Sequence, residues 1–249
     1  MAAVKRLQKI VEALLPRYEV DGKKIELMDL RDPFQVGAWF ILGQRAKRNG
    51  QPRAYDALRR AKGLTPGQLL DIPEEKLLNI SQTAGPYEDA RAKELYAYAD
   101  RIEEKCGQDF KKVFKSANEA RKFMEHELKK TREFIDFLLL YGGGFPVFPL
   151  DTHVARAAVR LGLGKLKAEK ALDEKSYKDL QKALETEAGK NAEFMIRAHS
   201  ALHRHGVDIC HAASPACDQC PLTAECLYIK KHPFVPKTPA ANTWHRPAP

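Results

Sequence analysis

Cys210, Cys217, Cys220 and Cys226 follow one another as C-x6-C-x2-C-x5-C, and they are four of the chain's five cysteines. Pro215 and Pro221 keep this segment loop-like. Four soft thiolates so close in sequence require one soft partner, either a metal ion or an iron–sulfur cluster. Two local disulfides would need an oxidising compartment. The first ten residues carry Lys5, Arg6 and Lys9 and no apolar leader. A structural zinc usually takes two C-x2–4-C knuckles, and only Cys217 and Cys220 make one. The spacing favours a [4Fe–4S] cluster, with zinc and disulfides as the alternatives.

The elements that must position these residues read as helices. The 249 residues are 44% hydrophobic and 30% charged, which suits a soluble globular chain of one large or two modest domains. No apolar run is long enough to span a membrane. A formal net charge of +9 favours a polyanionic partner. Val4, Leu7, Ile10, Val11, Leu14 and Leu15 form one helical stripe, which Pro16 should end. Asp21-Gly22 reads as a turn, and Asp32-Pro33 as a helix start. The segment 34–48 is apolar nearly all round up to Leu42 and ends in Gln44, Arg45, Lys47 and Arg48. Short helices follow over 51–62, 66–70 and 73–80.

Gly85-Pro86 then precedes a longer helix over 87–105, with Ala90, Leu95, Tyr98 and Ile102 facing inward. Residues 116–141 read as one nearly unbroken helix that the glycines at 142–144 stop. The segment 145–151 runs extended because its two prolines bias their predecessors away from the α region. Another helix covers 152–161, two more lie in 168–205, and the chain after about Lys237 reads as a disordered tail. No strand alternation and no internal repeat appear, so the fold class is all-α.

The cysteine pattern, placed after Leu150-Asp151-Thr152-His153, resembles the endonuclease III branch of the helix–hairpin–helix DNA glycosylases. Asp32-Pro33-Phe34 and its apolar helix up to Gly43-Gln44 is similar to the family helix whose glutamine enters the DNA stack. Gly85-Pro86-Tyr87, followed by Ala90-Arg91-Ala92-Lys93, looks like the family loop that wedges into the duplex. The resemblance covers about residues 4–230. It implies two lobes: a six-helix barrel with a degenerate hairpin over 28–144, and a cluster lobe from 1–27 and 145–230. A basic, Pro-rich tail takes 231–249. It further implies Cys210, Cys217, Cys220 and Cys226 as ligands of a structural [4Fe–4S] cluster. Asp151 becomes the catalytic carboxylate, and Gln44, Pro86, Tyr87 and His153 become DNA contacts. The partner would be double-stranded DNA with a damaged base, met by a monomer in the cytoplasm.

Two departures set the expected chemistry. The lyase lysine of the family hairpin L-P-G-V-G-R-K-T-A stands eighteen residues before the aspartate, and here that place holds Glu133. Lys129 and Thr131 replace both hairpin glycines. The segment from Glu133 onward is similar to a subgroup related to 3-methyladenine glycosylases, which also has glutamate there. Without the amine a Schiff base lacks its usual nucleophile. Lys129 and Lys130, about a turn from Glu133 on the same predicted helix, would join Arg132 in meeting phosphates by side-chain charge. The expectation is a monofunctional glycosylase that flips a damaged base, such as an alkylated purine, and hydrolyses its N-glycosidic bond with Asp151 and Glu133. The alternatives are a non-catalytic DNA- or damage-binding protein and an electron-transfer role for the cluster.

Overall fold

A computed structural model describes residues 5–18, 32–165 and 173–232. Val4, the Asp21-Gly22 turn, the lobe boundary at 27–28 and the tail after 232 lie outside the described residues. Among the described residues there is no strand. The helices are α1 (Arg6–Tyr18), α2 (Pro33–Gly43), α3 (Gly50–Arg60), α4 (Pro66–Leu70), α5 (Glu74–Gln82), α6 (Glu88–Cys106), α7 (Ala117–His126), α8 (Arg132–Tyr141), α9 (Thr152–Arg160), α10 (Glu174–Ala188), α11 (Ala192–Asp208) and α12 (Leu227–Lys231).

The all-α reading is correct, and four local readings need revision. Pro16 does not end α1 but sits inside its last turn. Arg17 beyond it is held by a 3.1 Å hydrogen bond to the Gln219 carbonyl. α2 stops at Gly43 rather than running on to Arg48, and Gln44 turns extended (φ −60°, ψ 114°). In α6 it is Arg91, not Ala90, that faces inward, because its guanidinium finds carbonyl partners there.

The fourth revision bears most on function. The expected helix over 116–141 is broken between His126 and Arg132. Lys129, at the place of the first family glycine, adopts a left-handed φ of 49°. For a residue with a Cβ that conformation costs about 1 kcal/mol. Buried Leu128 and a 3.0 Å bond from the Lys130 N–H to the Met124 carbonyl hold it. Thr131 then caps α8 by accepting from the Phe134 N–H. The hairpin turn thus survives without glycine, and Lys129 and Lys130 lie in the turn, not on the helix of Glu133.

Packing forms two neighbourhoods. α2 packs on α3, α6 and α8; α4 and α5 pack on α6; α7 packs on α8. α11 packs on α1, α9 and α10, and it meets α8, so one apolar core runs through both groups. α2 is buried on nearly all sides, through Phe34, Val36, Trp39, Ile41 and Leu42. Its start is set by Asp32, whose carboxylate accepts from the Phe34 and Gln35 N–H groups, with Pro33 as first helical residue. No helix among the described residues is long and apolar enough to cross a membrane.

Candidate active site

Asp151 is delivered by an extended segment whose backbone is satisfied by side chains of α10, two of which are held by Asp136 of α8. Leu150 N–H donates to the Tyr177 hydroxyl at 3.1 Å, and that hydroxyl donates to Asp136 at 2.9 Å. Gln181 donates one amide nitrogen to both Asp136 (2.8 Å) and the Phe148 carbonyl (2.9 Å). Fully buried Asp136 is also paired with Arg121. The Phe148 N–H donates to Glu185 at 3.1 Å. This polar bracket fixes where α9 begins.

At that point Asp151 caps α9, one oxygen accepting from the Val154 N–H at 2.7 Å. The other oxygen lies 2.5 Å from His203 Nδ1 on α11. Burial by itself would raise this carboxyl. The hydrogen bond and charge of His203, the neighbouring His199 and the Val154 N–H outweigh burial and hold Asp151 well below the ordinary carboxylate range. For His203, burial pulls the other way from Asp151, and the net effect is a rise above the usual imidazole value.

Glu133, on the first turn of α8, is the opposite case. Its side chain is solvent-exposed by area, while the protein atoms packed about its carboxyl strip away part of its hydration. That partial burial, with the Asp151 charge adding to it and His203 opposing, pushes its carboxyl up to about 7. Two carboxyls in one cleft are therefore tuned apart, one ionised and one holding a proton near neutrality.

His153, half-buried, keeps a neutral ring. The Arg156 guanidinium sits 3.1 Å from its Nδ1 and can only donate, so Nδ1 accepts. Burial lowers its basicity in agreement. α9 and α11 approach so closely behind it that a Cβ on Gly206 would stand 2.6 Å from the His153 carbonyl oxygen.

On the far wall, Gln44 and the loop of Pro86 and Tyr87 are tied into one unit. Buried Arg91 donates to the Gln44 carbonyl (3.0 Å), the Ser81 carbonyl (2.9 Å) and the Gly85 carbonyl. Lys47 N–H donates to the Ala84 carbonyl at 2.8 Å. Pro86 is exposed and precedes the cap of α6 rather than opening the helix. Tyr87 is the cap, left-handed (φ 72°) and 54% exposed, with Arg45 over its ring at 4.9 Å.

Two of the three cations expected to face phosphate are turned inward. Lys130 pairs with Glu94 at 3.1 Å and lies over the Tyr98 and Phe134 rings. The same Glu94 oxygen accepts from the Gln44 amide at 3.3 Å. Arg132 pairs with Glu174 at 2.6 Å and lies over Tyr177. Lys129 is exposed. These charge-assisted bonds come from acceptors on other helices, which sequence spacing cannot reveal.

Cys210 and Cys226 are buried, and Cys217 and Cys220 half-buried. Burial pushes the Cys210, Cys217 and Cys220 thiols up, and two of the sulfurs meet hydrogen-bond donors. Arg160 reaches Cys210 Sγ at 3.5 Å, and the Leu222 N–H reaches Cys220 Sγ at 3.4 Å. Arg156 and Arg160 also bind the Cys210, His211 and Ala212 carbonyls, which shapes the loop. Among the described residues no group of three or more His, Cys, Asp or Glu closes to the spacing of a single metal ion. Four cysteines in one loop, two of them met by N–H or guanidinium donors, are the donor type that an iron–sulfur cluster takes.

His203, Arg91, Asp136 and Gly206 escape a reading of the sequence alone. Only His203 left a signal: it follows His199 by four, so both lie on one face of α11.

Residues 38–185 match the model of the HhH-GPD superfamily base excision DNA repair proteins. Endonuclease III of Rickettsia conorii is 28% identical over 168 residues, 66% of this chain and 70% of that protein. A trapped covalent endonuclease III–DNA intermediate superposes with a TM-score of 0.66 at 21% identity, covering 93% of this chain and 99% of the other. The 3-methyladenine DNA glycosylase of H. pylori, bound to 1,N6-ethenoadenine, superposes with a TM-score of 0.59 at 16% identity, covering 82% and 97%.

Proposed function

The chain belongs to the HhH-GPD superfamily of base excision DNA repair proteins and is a DNA glycosylase of that superfamily, and from that premise we propose a monofunctional enzyme that removes an alkylated purine. The observation that carries this reading is the pair Asp151 and Glu133, tuned in opposite directions in one cleft. Cleavage of an N-glycosidic bond builds positive charge on the sugar, and from a neutral alkylated purine it also builds negative charge on the departing base, whereas a purine methylated at N3 or N7 is already cationic and leaves as a neutral base. Ionised Asp151 opposes the first, and protonated Glu133 can give a proton to the second.

No amine stands at position 133, and the nearby Lys130 is engaged by Glu94. A Schiff base with the sugar therefore lacks a ready nucleophile. The glutamate at this place and the likeness to the H. pylori enzyme support an alkylated purine as substrate. Gln44 would fill the space left by the flipped base, with Tyr87 and Pro86 wedging beside it. Lys129 and His153 would lie against the DNA backbone, with Lys130 and Arg132 joining if DNA draws them from their internal partners. Cys210, Cys217, Cys220 and Cys226 would hold a [4Fe–4S] cluster that fastens the loop after α11 to α9. The two packing neighbourhoods then act as lobes, one carrying Glu133 and one Asp151, about damaged double-stranded DNA. The protein works as a monomer in the cytoplasm.

The test is a cleavage assay on duplexes with a panel of lesions, chemically methylated purines among them, each read with and without alkali. Strand breaks only after alkali, and release of methylated purine, are the expected result. Asp151→Asn, which keeps the helix cap, should lower the rate by about 100-fold or more. Breaks without alkali, or covalent trapping by borohydride, would contradict the monofunctional reading. Retained duplex binding with no cleavage of any lesion would leave a non-catalytic damage-binding protein.

A further inference from the structure

His203 has no part in the cysteine loop or in the wedge, and none of the functional segments of the sequence contains it. Its ring is nevertheless the nearest partner of the cleft carboxylate, with Nδ1 2.5 Å from Asp151 Oδ2. Because Asp151 Oδ1 is already occupied by the Val154 N–H, both oxygens of this carboxylate have a donor. The His203 ring lies 6.1 Å from His199, nearly parallel, and 5.5 Å from His153. His199 is anchored in turn by the Tyr141 hydroxyl at 2.8 Å. We infer that His203 is a positioning residue: its imidazolium grips Asp151 from α11, fixes the carboxylate against α9 and keeps it charged while a second carboxyl, Glu133, stands beside it.

The physical need is specific to this chain. Two carboxyls in one cleft repel when both are ionised, and one of them would otherwise take up a proton. A cation beside Asp151 decides which one. The charged and titratable groups around His203 come from three elements. Asp151 and His153 come from the start of α9, Glu133 from α8, and His199 and Arg204 from α11 itself. α1, also packed on α11, puts Arg17 and Tyr18 beside His205 instead. Asp151 and Glu133 favour the imidazolium, while Arg204 and burial oppose it, and the net direction favours the cation. With the cation present, the proton goes to Glu133, where the departing base can use it.

This inference rests on Asp151 as the catalytic carboxylate, and two measurements on the full chain separate them. The first needs no DNA. The His203 ring is titrated by NMR in the natural protein and in Asp151→Asn. The expected midpoint lies above the ordinary imidazole value and falls by about one pH unit or more without the carboxylate. An unchanged midpoint overturns the inference.

The second is the pH profile of purine release from duplex DNA carrying 1,N6-ethenoadenine, a neutral alkylated purine, for the natural protein, His203→Asn and His203→Ala. Loss of the cation, which opposes the proton on Glu133, should shift the alkaline limb upward by about one unit. His203→Asn, which keeps an N–H donor, should retain more rate than His203→Ala. Binding to the duplex should not change. Superposable profiles overturn the inference. If Asp151→Asn releases purine at the natural rate, the catalytic reading of Asp151 fails, and the titration still decides whether His203 and Asp151 are paired.

Discussion

Asp151 and Glu133 are both carboxylic acids in one cleft, and their surroundings drive them apart. Asp151 gains a histidine and a backbone N–H, so it stays ionised far below neutrality. Glu133 loses part of its hydration and faces the like charge of Asp151, with His203 opposing, so its proton leaves at about 7. The sign of the pH dependence follows. A raised carboxyl holds its proton below its shifted value and loses it as pH rises through that value. Base release should therefore slow as pH climbs past about 7. Glu133→Gln cannot give a proton. It should remove this alkaline limb and lower the rate below the limb by about 100-fold. A single-turnover pH series on duplex DNA carrying a neutral alkylated purine, 1,N6-ethenoadenine, checks both. The identities of these two residues can be read in the chain, but their opposite tuning cannot, because His203 is brought to Asp151 only by the crossing of α11 and α9.

The break between α7 and α8 shows how an element can escape its own sequence. Nothing in 127–131 is Gly or Pro, so helical periodicity runs on through it. The interruption is imposed by tertiary partners, Leu128 in the core and Lys130 beside Glu94, which outweigh a left-handed lysine. The N-cap Thr131 was the one local clue. The contact of α9 with α11 depends in the same way on a single small residue. Gly206→Ala would put a methyl 2.6 Å from the His153 carbonyl. It should lower stability by about 2 kcal/mol, seen as a reduced melting temperature by circular dichroism. It should also reduce purine release, since α9 carries Asp151.

At the scale of the molecule, α8 and α11 join two packing neighbourhoods through one apolar core, and the cysteine loop closes the chain back onto α9 through Arg156 and Arg160. Under the proposed cluster, a loop with so few buried side chains would hold its shape through its four cysteine ligands. Cys226→Ser should lower the iron bound per chain and the visible absorbance. It should also drop the melting temperature by several degrees, because Arg160 loses the thiolates it is folded around. Equal melting temperatures with and without iron would show that the loop folds without a cluster.

The chain by itself determined the all-α class, the placement of most helices, the cysteine motif and the carboxylate at the start of α9. Each of these is local: periodicity, a cap, or a spacing within seventeen residues carries it. The tertiary structure alone decided what those residues meet. It turned Lys130 and Arg132 toward acidic partners, put buried Arg91 between the Gln44 turn and the loop before α6, and set His203 against Asp151 across 52 residues of chain. Such pairings depend on desolvation and on acceptors supplied by distant elements, and neither quantity exists until the helices pack.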